Sequence, residues 1–429
     1  MLDRTKAPET YEIDAVTLQD AEVINLQNGA RLHVIKSETQ PVIRLDFVFK
    51  AGKWFETGNG VSDLTAKMLL EGTINRTASQ IAETIAYYGA SFEGNHGYDR
   101  TEFTLYCLAK HLNQLLPLVL DVLQNPSFPA DEFSLLKQRS QQNLKLQRQK
   151  NNYLATHSFT KLIYGAGHPY IYGFDADAFD DLQLEELINF YNSHYVTQEL
   201  EVFACGSIDA PMQKMLTAEI SKLTLQSGQK TLVANVTEIK VAEINFAFVE
   251  MPDSLQSSIR VGKQFPSIHD DDYLNLLVLN ELLGGYFGSR LMRNIREDKG
   301  YTYGIYSAVS PKEHDTLFYI GTDVNYAVTD KTIEEIKKEL QALQQNEIPT
   351  EELQTVKNYM LGKFLNDITT IFEQCDRYKR IVLYKLPPNH YNNFVTAIKH
   401  VTSIELQALA QHYLSYAGMG LSVCGRRSG

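Results

Sequence analysis

The sequence predicts an α+β fold built from two similar halves, and three observations carry that expectation. Stretches with strand character alternate unevenly with stretches of helical periodicity, and the helices often come in consecutive pairs, which favours α+β layers over a doubly wound parallel sheet. A chain of 429 residues is too long for one ordinary core and suits two domains of about 200 residues each. Internal repetition is also present: Leu123-Gln124-Asn125-Pro126-Ser127-Phe128-Pro129-Ala130-Asp131-Glu132 is echoed by Leu343-Gln344-Gln345-Asn346-Glu347-Ile348-Pro349-Thr350-Glu351-Glu352, an offset of 343 − 123 = 220, about half the chain.

Taken in order, residues 42–51 and 102–107 are rich in β-branched and aromatic residues and read as strands, whereas 61–71, 78–88, 110–124 and 130–163 have helical periodicity. In the second half, 244–250, 256–263, 303–309 and 316–322 read as strands, and 271–283, 289–297, 328–346, 350–366 and 402–415 as helices. Each copy of the echo closes one amphipathic helix and opens another with Pro followed by acids, which complement the positive end of a helix. The polar run Gln226-Ser227-Gly228-Gln229-Lys230 is the expected boundary, giving domains at 1–225 and 231–429.

Composition narrows the function. Lys and Arg total 40 against 52 Asp and Glu, a net charge of −12, which argues against nucleic acid or an anionic membrane as the main partner. No stretch approaches 18 apolar residues and the first residues lack an apolar signal core, so no membrane insertion and a cytoplasmic location are expected. Cys107, Cys205, Cys375 and Cys424 are scattered, with no Cys-x-x-Cys pair, and read as buried thiols. The basic run Lys137, Arg139, Lys145, Arg148 and Lys150 reads as a solvated helix face, the alternative being a lining that attracts acidic peptides or a partner.

Two stretches carry chemistry. In residues 284–303, Gly284-Gly285, Ser289-Arg290-Leu291, Ile295-Arg296-Glu297 and Gly300-x-x-Tyr303 occur in an order and spacing that resemble the substrate-gripping motif of the pitrilysin/insulinase family of zinc peptidases. In the first half, Met68-Leu69-Leu70-Glu71-Gly72-Thr73 resembles the tail that follows that family's inverted zinc motif, His-x-x-Glu-His, and Leu162-Ile163-Tyr164-Gly165-x-x-His168-Pro169-Tyr170 resembles a further segment. The resemblance extends over nearly the whole chain and implies two homologous domains, each a mixed, mainly antiparallel sheet with helices on one face. It also implies that Arg296 and Tyr303 hold a peptide backbone near the scissile bond and stabilise the oxyanion.

The zinc half of the resemblance is degenerate. The five positions before the tail read Asp63-Leu64-Thr65-Ala66-Lys67, and the position of the family's third ligand is Asn143. Residues at i and i+4 share a helix face, so two histidines there can grip one ion while an acid between them takes a proton. A lysine ammonium has no lone pair for a metal, Ala66 offers no base, and an amide is not a usual zinc ligand. No two of the 11 histidines stand at i, i+4 elsewhere. Asp63 and Lys67 read instead as an ordinary i, i+4 ion pair, and His168 as a packing or loop-ordering residue.

The expected function is that of a non-catalytic, peptide-binding subunit of a heteromeric zinc metalloendopeptidase, with no cofactor of its own. Zinc would reside in an insulinase-like partner subunit, to whose site this chain supplies Arg296 and Tyr303. Family members that work as such pairs, and the zinc-less subunit of the mitochondrial processing peptidase, are the precedents the resemblance brings, the bacterial type being closer because that subunit's long glycine-rich loop is not evident here. A scaffold or peptide-binding module without an enzymatic partner, and a self-sufficient hydrolase with other ligands, stay open as alternatives.

Overall fold

The computed structural model describes residues 16–56, 58, 60–173, 177–225 and 245–426, and the expected boundary at 226–230 lies outside them. In chain order the first half forms β1 (Glu22–Asn25), β2 (Arg31–Lys36), β3 (Val42–Phe49), α1 (Val61–Met68), α2 (Ala78–Tyr87), β4 (Ser91–His96), β5 (Thr101–Leu108), α3 (Leu112–Gln124), α4 (Ala130–Gln147), α5 (Asn151–Tyr164), α6 (Leu184–His194), β6 (Glu201–Gly206) and α7 (Ala210–Ser221). The second half forms β7 (Phe246–Glu250), β8 (Gln256–Phe265), α8 (Tyr273–Asn280), β9 (Thr302–Pro311), β10 (Thr316–Asn325), α9 (Thr329–Gln345), α10 (Thr350–Asn366), α11 (Ile371–Leu383), α12 (His390–His400), α13 (Ser403–Tyr413) and β11 (Gly420–Gly425).

Local chemistry sets many of these starts. Capping boxes open α2 (Thr77 with Gln80), α11 (Thr370 with Glu373) and α13 (Thr402 with Glu405), each satisfying two otherwise orphaned backbone donors. Pro129 and Pro349 stand immediately before α4 and α10, with Asp131, Glu132, Glu351 and Glu352 in the first turns.

The sheets follow one topology. The first runs β1-β2-β6-β3-β5-β4 and the second β7-β11-β8-β10-β9. In each, the last strand of the half inserts beside the first-laid pair: β6 runs parallel to β2 and antiparallel to β3, as β11 does to β7 and β8. The remaining pairings are antiparallel. Element offsets repeat as well: β8 starts 256 − 42 = 214 residues after β3, and α10 and α11 start 350 − 130 = 220 and 371 − 151 = 220 residues after α4 and α5. The faint echo in the sequence thus belongs to a duplicated architecture.

The expected helix over 130–163 is two helices, broken at 148–150, and the break has a structural reason. Helix α4 stays with its own half, whereas α5 crosses to the second sheet, where Asn151 Nδ2 donates to Gln256 O at 2.6 Å and Arg260 Nε donates to Thr156 Oγ1 at 3.2 Å. A Cβ at Gly420 would sit 3.0 Å from side-chain carbons of both Leu162 and Ile163, so glycine there lets α5 lie close on β11. Helix α11 returns the exchange: Cys375, Ile371 and Phe372 pack with Ile35, Val48, Phe203 and Cys205 of the first sheet. Each sheet therefore has its own half's helices on one face and a helix of the other half on its opposite face. Strand β3, buried over most of its length rather than alternating, records this double cover.

Charge seals one of these contacts. Lys379 of α11 reaches Asp46 at 3.0 Å, Glu102 at 2.5 Å and Asp376 at 3.4 Å, while Arg44 reaches Asp46 at 3.1 Å and Asp376 at 2.6 Å. Elsewhere the equivalent hairpin tips meet. Asp99 accepts from Glu313 N at 2.8 Å, and the Lys312 ammonium lies about 5 Å from the ring centres of Tyr98, Tyr164 and Tyr170, a favourable cation–π setting. All four cysteines are buried and free. Among the described residues no helix is long and apolar enough to cross a membrane.

Three histidines give the fold a pH dependence. Burial pushes His168, His194 and His390 down to about 4, with cations beside His168 (Lys312) and His390 (Arg380) adding to the effect and Glu199 opposing it at His194. Because the folded values lie below that of a free imidazole, about 6.5, unfolding takes up protons between these limits and stability falls as pH drops through that window. Urea midpoints are expected to decline steadily from about pH 7 to about pH 5, with these imidazoles taking up as many as three protons on unfolding and His314, also lowered by burial, adding to them. A midpoint constant over that range would remove the three imidazoles from the balance.

Candidate functional site

In the first half, α1 presents the degenerate positions. Gly60, in the left-handed region at φ +81°, precedes the helix, and the buried Glu56 carboxylate accepts from Gly60 N at 3.1 Å and Ser62 N at 3.0 Å, fixing its start. Lys67 Nζ lies 2.8 Å from Asp63 Oδ2, the i, i+4 pair read from the sequence, and His96 Nδ1 of β4 approaches Asp63 Oδ1 at 3.0 Å. Burial opposes the charge on Asp63, but His96 and Lys67 outweigh it and hold the carboxyl at about 2. Ala66 is buried, and Asn143 is exposed on α4, which packs beside α1.

These residues do not fit zinc. The one carboxylate is already paired with an ammonium that repels cations, Ala66 supplies no donor and Asn143 supplies an amide. Among the described residues, no group of three or more His, Cys, Asp or Glu side chains is placed to hold a metal. The purified chain is accordingly expected to retain no stoichiometric zinc after dialysis. Restoring Asp63→His, Ala66→Glu and Lys67→His together is expected not to create a peptidase, because a third ligand and the hydrogen bonds that orient each imidazole would still be missing. Metal analysis and a peptidase assay with added zinc check both points, with Asn143→Glu as the fourth change. Robust cleavage by the triple variant would identify a recently disabled enzyme.

In the second half, α8 continues as a π-helical stretch, Glu281–Gly285, and a further π-helical stretch spans Met292–Asp298. The latter packs against β9, where Ile305 N approaches Met292 Sδ at 3.4 Å. Gly300, at φ +65°, turns the chain into that strand, after Tyr301 N has bonded back to Ile295 O at 3.0 Å. Tyr303 stands on β9 and is 92% exposed. The Arg296 guanidinium lies over the Phe287 ring at 4.7 Å and forms no ion pair with any described residue. Arg290, by contrast, is tied to Glu352 by two bonds of 2.9 and 2.8 Å and is structural.

Sequence reasoning missed His96 and Phe287. The first sits in a polar edge strand with no motif around it, whereas Phe287 lies inside the Gly-Gly-Tyr-Phe-Gly run, where an exposed aromatic before a key arginine was a usable signal. His168 Nδ1 accepts from Tyr170 N at 3.1 Å and orders its loop; in the basic run Arg139, Lys145, Arg148 and Lys150 are exposed, as read, but Lys137 is half-buried and donates to Asp180 O and Leu182 O at 2.8 and 2.9 Å.

Comparison with known proteins gives concordant matches. Residues 31–166 match a family model described as insulinase (peptidase family M16), and residues 181–360 one described as peptidase M16 inactive domain. The chain is 24% identical over 356 residues to an uncharacterized zinc protease, YmxG, of Bacillus subtilis, covering 79% of this chain and 82% of that protein. It is 22% identical over 276 residues to a probable mitochondrial-processing peptidase subunit beta of Arabidopsis thaliana, covering 62% and 51% respectively. A crystal structure described as a peptidase M16 inactive domain from Pseudomonas fluorescens superposes with a TM-score of 0.87 at 23% identity, covering 96% of this chain and 99% of that one. A protease from Helicobacter pylori follows at a TM-score of 0.85 and 17% identity, with 95% and 100% covered.

Proposed function

Since this chain belongs to the M16, or insulinase, family of peptidases, we propose that it is a non-catalytic, peptide-binding subunit that completes the zinc site of a partner. The partner is an insulinase-like chain that carries the zinc; this chain holds none and supplies Arg296 and Tyr303 to the bound peptide. The observation that carries this reading is the contrast between two sites in one molecule. The metal positions are closed by an ion pair and an alanine, whereas Tyr303 is almost wholly exposed and Arg296, half-buried over Phe287, pairs with no carboxylate among the described residues.

A guanidinium and a phenol are suited to that role. Both donate hydrogen bonds toward negative charge that develops on a carbonyl oxygen, and neither has to touch the metal to stabilise it. Phe287 beneath the guanidinium restricts its motion, so fewer orientations are lost when a peptide binds.

The experiment is reconstitution. This chain alone is expected to leave peptides intact, and peptide cleavage is expected on mixing it with a zinc-bearing M16 chain encoded beside it, with the two co-eluting on size exclusion. Failure of every such chain to associate, with activity independent of this one, would favour a scaffold role.

A further inference from the structure

The duplication gives the second half its own counterpart of the metal position, and that counterpart is a cavity. Offsets of 277 − 63 = 214 and 281 − 67 = 214 match that of the preceding strands, and 363 − 143 = 220 matches that of α10 on α4. Leu277, Glu281 and Lys363 therefore stand where the first half has Asp63, Lys67 and Asn143. Burial agrees with this register: Ser62, Leu64, Thr65, Met68 and Leu69 are buried, as are Leu276, Val278, Leu279, Leu282 and Leu283.

Here the three residues line a cavity of about 210 Å³ between α8, α10, α11 and α12. Its lining is apolar at Met360, Phe364 and Phe394 and charged at Glu281, Lys363, Asp367, Arg377 and Arg380. Arg380 Nε is buried without a hydrogen-bond partner; the guanidinium donates to Tyr273 Oη at 3.3 Å, lies 5.7 Å from the Tyr384 ring centre, and pairs with no carboxylate among the described residues. Glu281 Oε1 is likewise buried and unbonded, since Lys363 Nζ stands 3.9 Å away, beyond hydrogen-bond reach. The other charges on the wall, Arg377 and Asp367, satisfy each other at 3.0 Å. A guanidinium without a carboxylate, and a carboxylate whose ammonium stands beyond hydrogen-bond reach, each keep capacity for a charged group of a ligand. The π-helical stretch that carries Glu281 is itself a geometry enriched at functional sites.

We propose that this cavity binds a small zwitterion with an apolar side chain, either a free hydrophobic α-amino acid or a short unblocked peptide. The carboxylate meets Arg380, the ammonium meets Glu281, and the side chain lies against Met360, Phe364 and Phe394. The space is ample, since one water needs only about 10–15 Å³ on the same measure. Nothing in the assignment depends on the peptidase-subunit reading, which concerns Arg296 and Tyr303.

Calorimetric titration of the full chain tests it, with L-phenylalanine, the dipeptide Phe-Phe, N-acetylphenylalanine and phenylalaninamide as probes. Saturable one-site binding is expected for an unblocked probe with Kd near or below about 1 mM, and the tighter of amino acid and dipeptide identifies the source. Blocking either end is expected to weaken binding by at least about tenfold, as the charged partner in the cavity is then left unpaired. Arg380→Gln is expected to weaken phenylalanine by a similar factor but not the amide further, and Glu281→Gln to do so without further effect on the acetyl derivative. No saturable binding of either unblocked probe up to about 10 mM, or equal binding of blocked and unblocked probes, would overturn the proposal. The probe series uses the native chain, so it decides the question even if a variant misfolds.

Discussion

With a zinc-bearing partner and a peptide substrate, Arg296→Ala and Tyr303→Phe are each expected to lower turnover by a factor of about 10² to 10³, the usual cost of one donor aimed at an oxyanion, about 2.7–4 kcal/mol. Assembly is expected to survive both changes. Tyr303 is almost wholly exposed and Arg296 rests on a single ring, so neither supports the core. Turnover measured at saturating partner, beside size-exclusion profiles, separates the two effects. Unchanged turnover in both variants would make the pair structural and shift the reading to a scaffold.

The second large effect is on stability. Lys379→Met is expected to destabilise the chain by about 3–5 kcal/mol, the typical cost of stripping one partner from a buried ion pair. Asp46 is fully buried, and among the described residues Arg44 at 3.1 Å would be its only remaining cation, shared with Asp376. Burial by itself lowers the affinity of Lys379 for its proton, but Asp46 and Glu102 outweigh this and raise it. Urea unfolding checks the figure, and adding Asp46→Asn is expected to recover part of the loss. A shift below about 1 kcal/mol would mean that Arg44 alone neutralises the site.

The duplication, most of the second-half elements and the Asp63–Lys67 ion pair were legible in the sequence, because each is local: a capping acid after proline, a β-branched run, a spacing. The exchange of helices was not. In the α11 sequence, Ile371-Phe372-Glu373-Gln374-Cys375-Asp376 shows an apolar stripe but not which sheet it covers, and Lys379 lies 333 residues from its partner Asp46. The same holds for the break at 148–150, which has no Gly or Pro to announce it. Strand β4 escaped because Ser91-Phe92-Glu93-Gly94-Asn95-His96 is an edge strand, with a polar composition that carries no hydrophobic signal. The register that links Glu281 to Lys67 and Lys363 to Asn143 also needed the structure, since helix lengths shift it between 214 and 220.

The crossing of α5 and α11 bears on where such a chain came from. A molecule half as long would have left one face of its sheet, the face over Phe203 and Cys205, open to water with nothing of its own to lay across it. Two copies trading one helix each would have cured that, so the ancestor implied by this architecture is an intertwined symmetric pair. Fusing the copies made the trade internal. Each half was then free to diverge in the chemistry it kept, while neither could be discarded without unclothing its sibling.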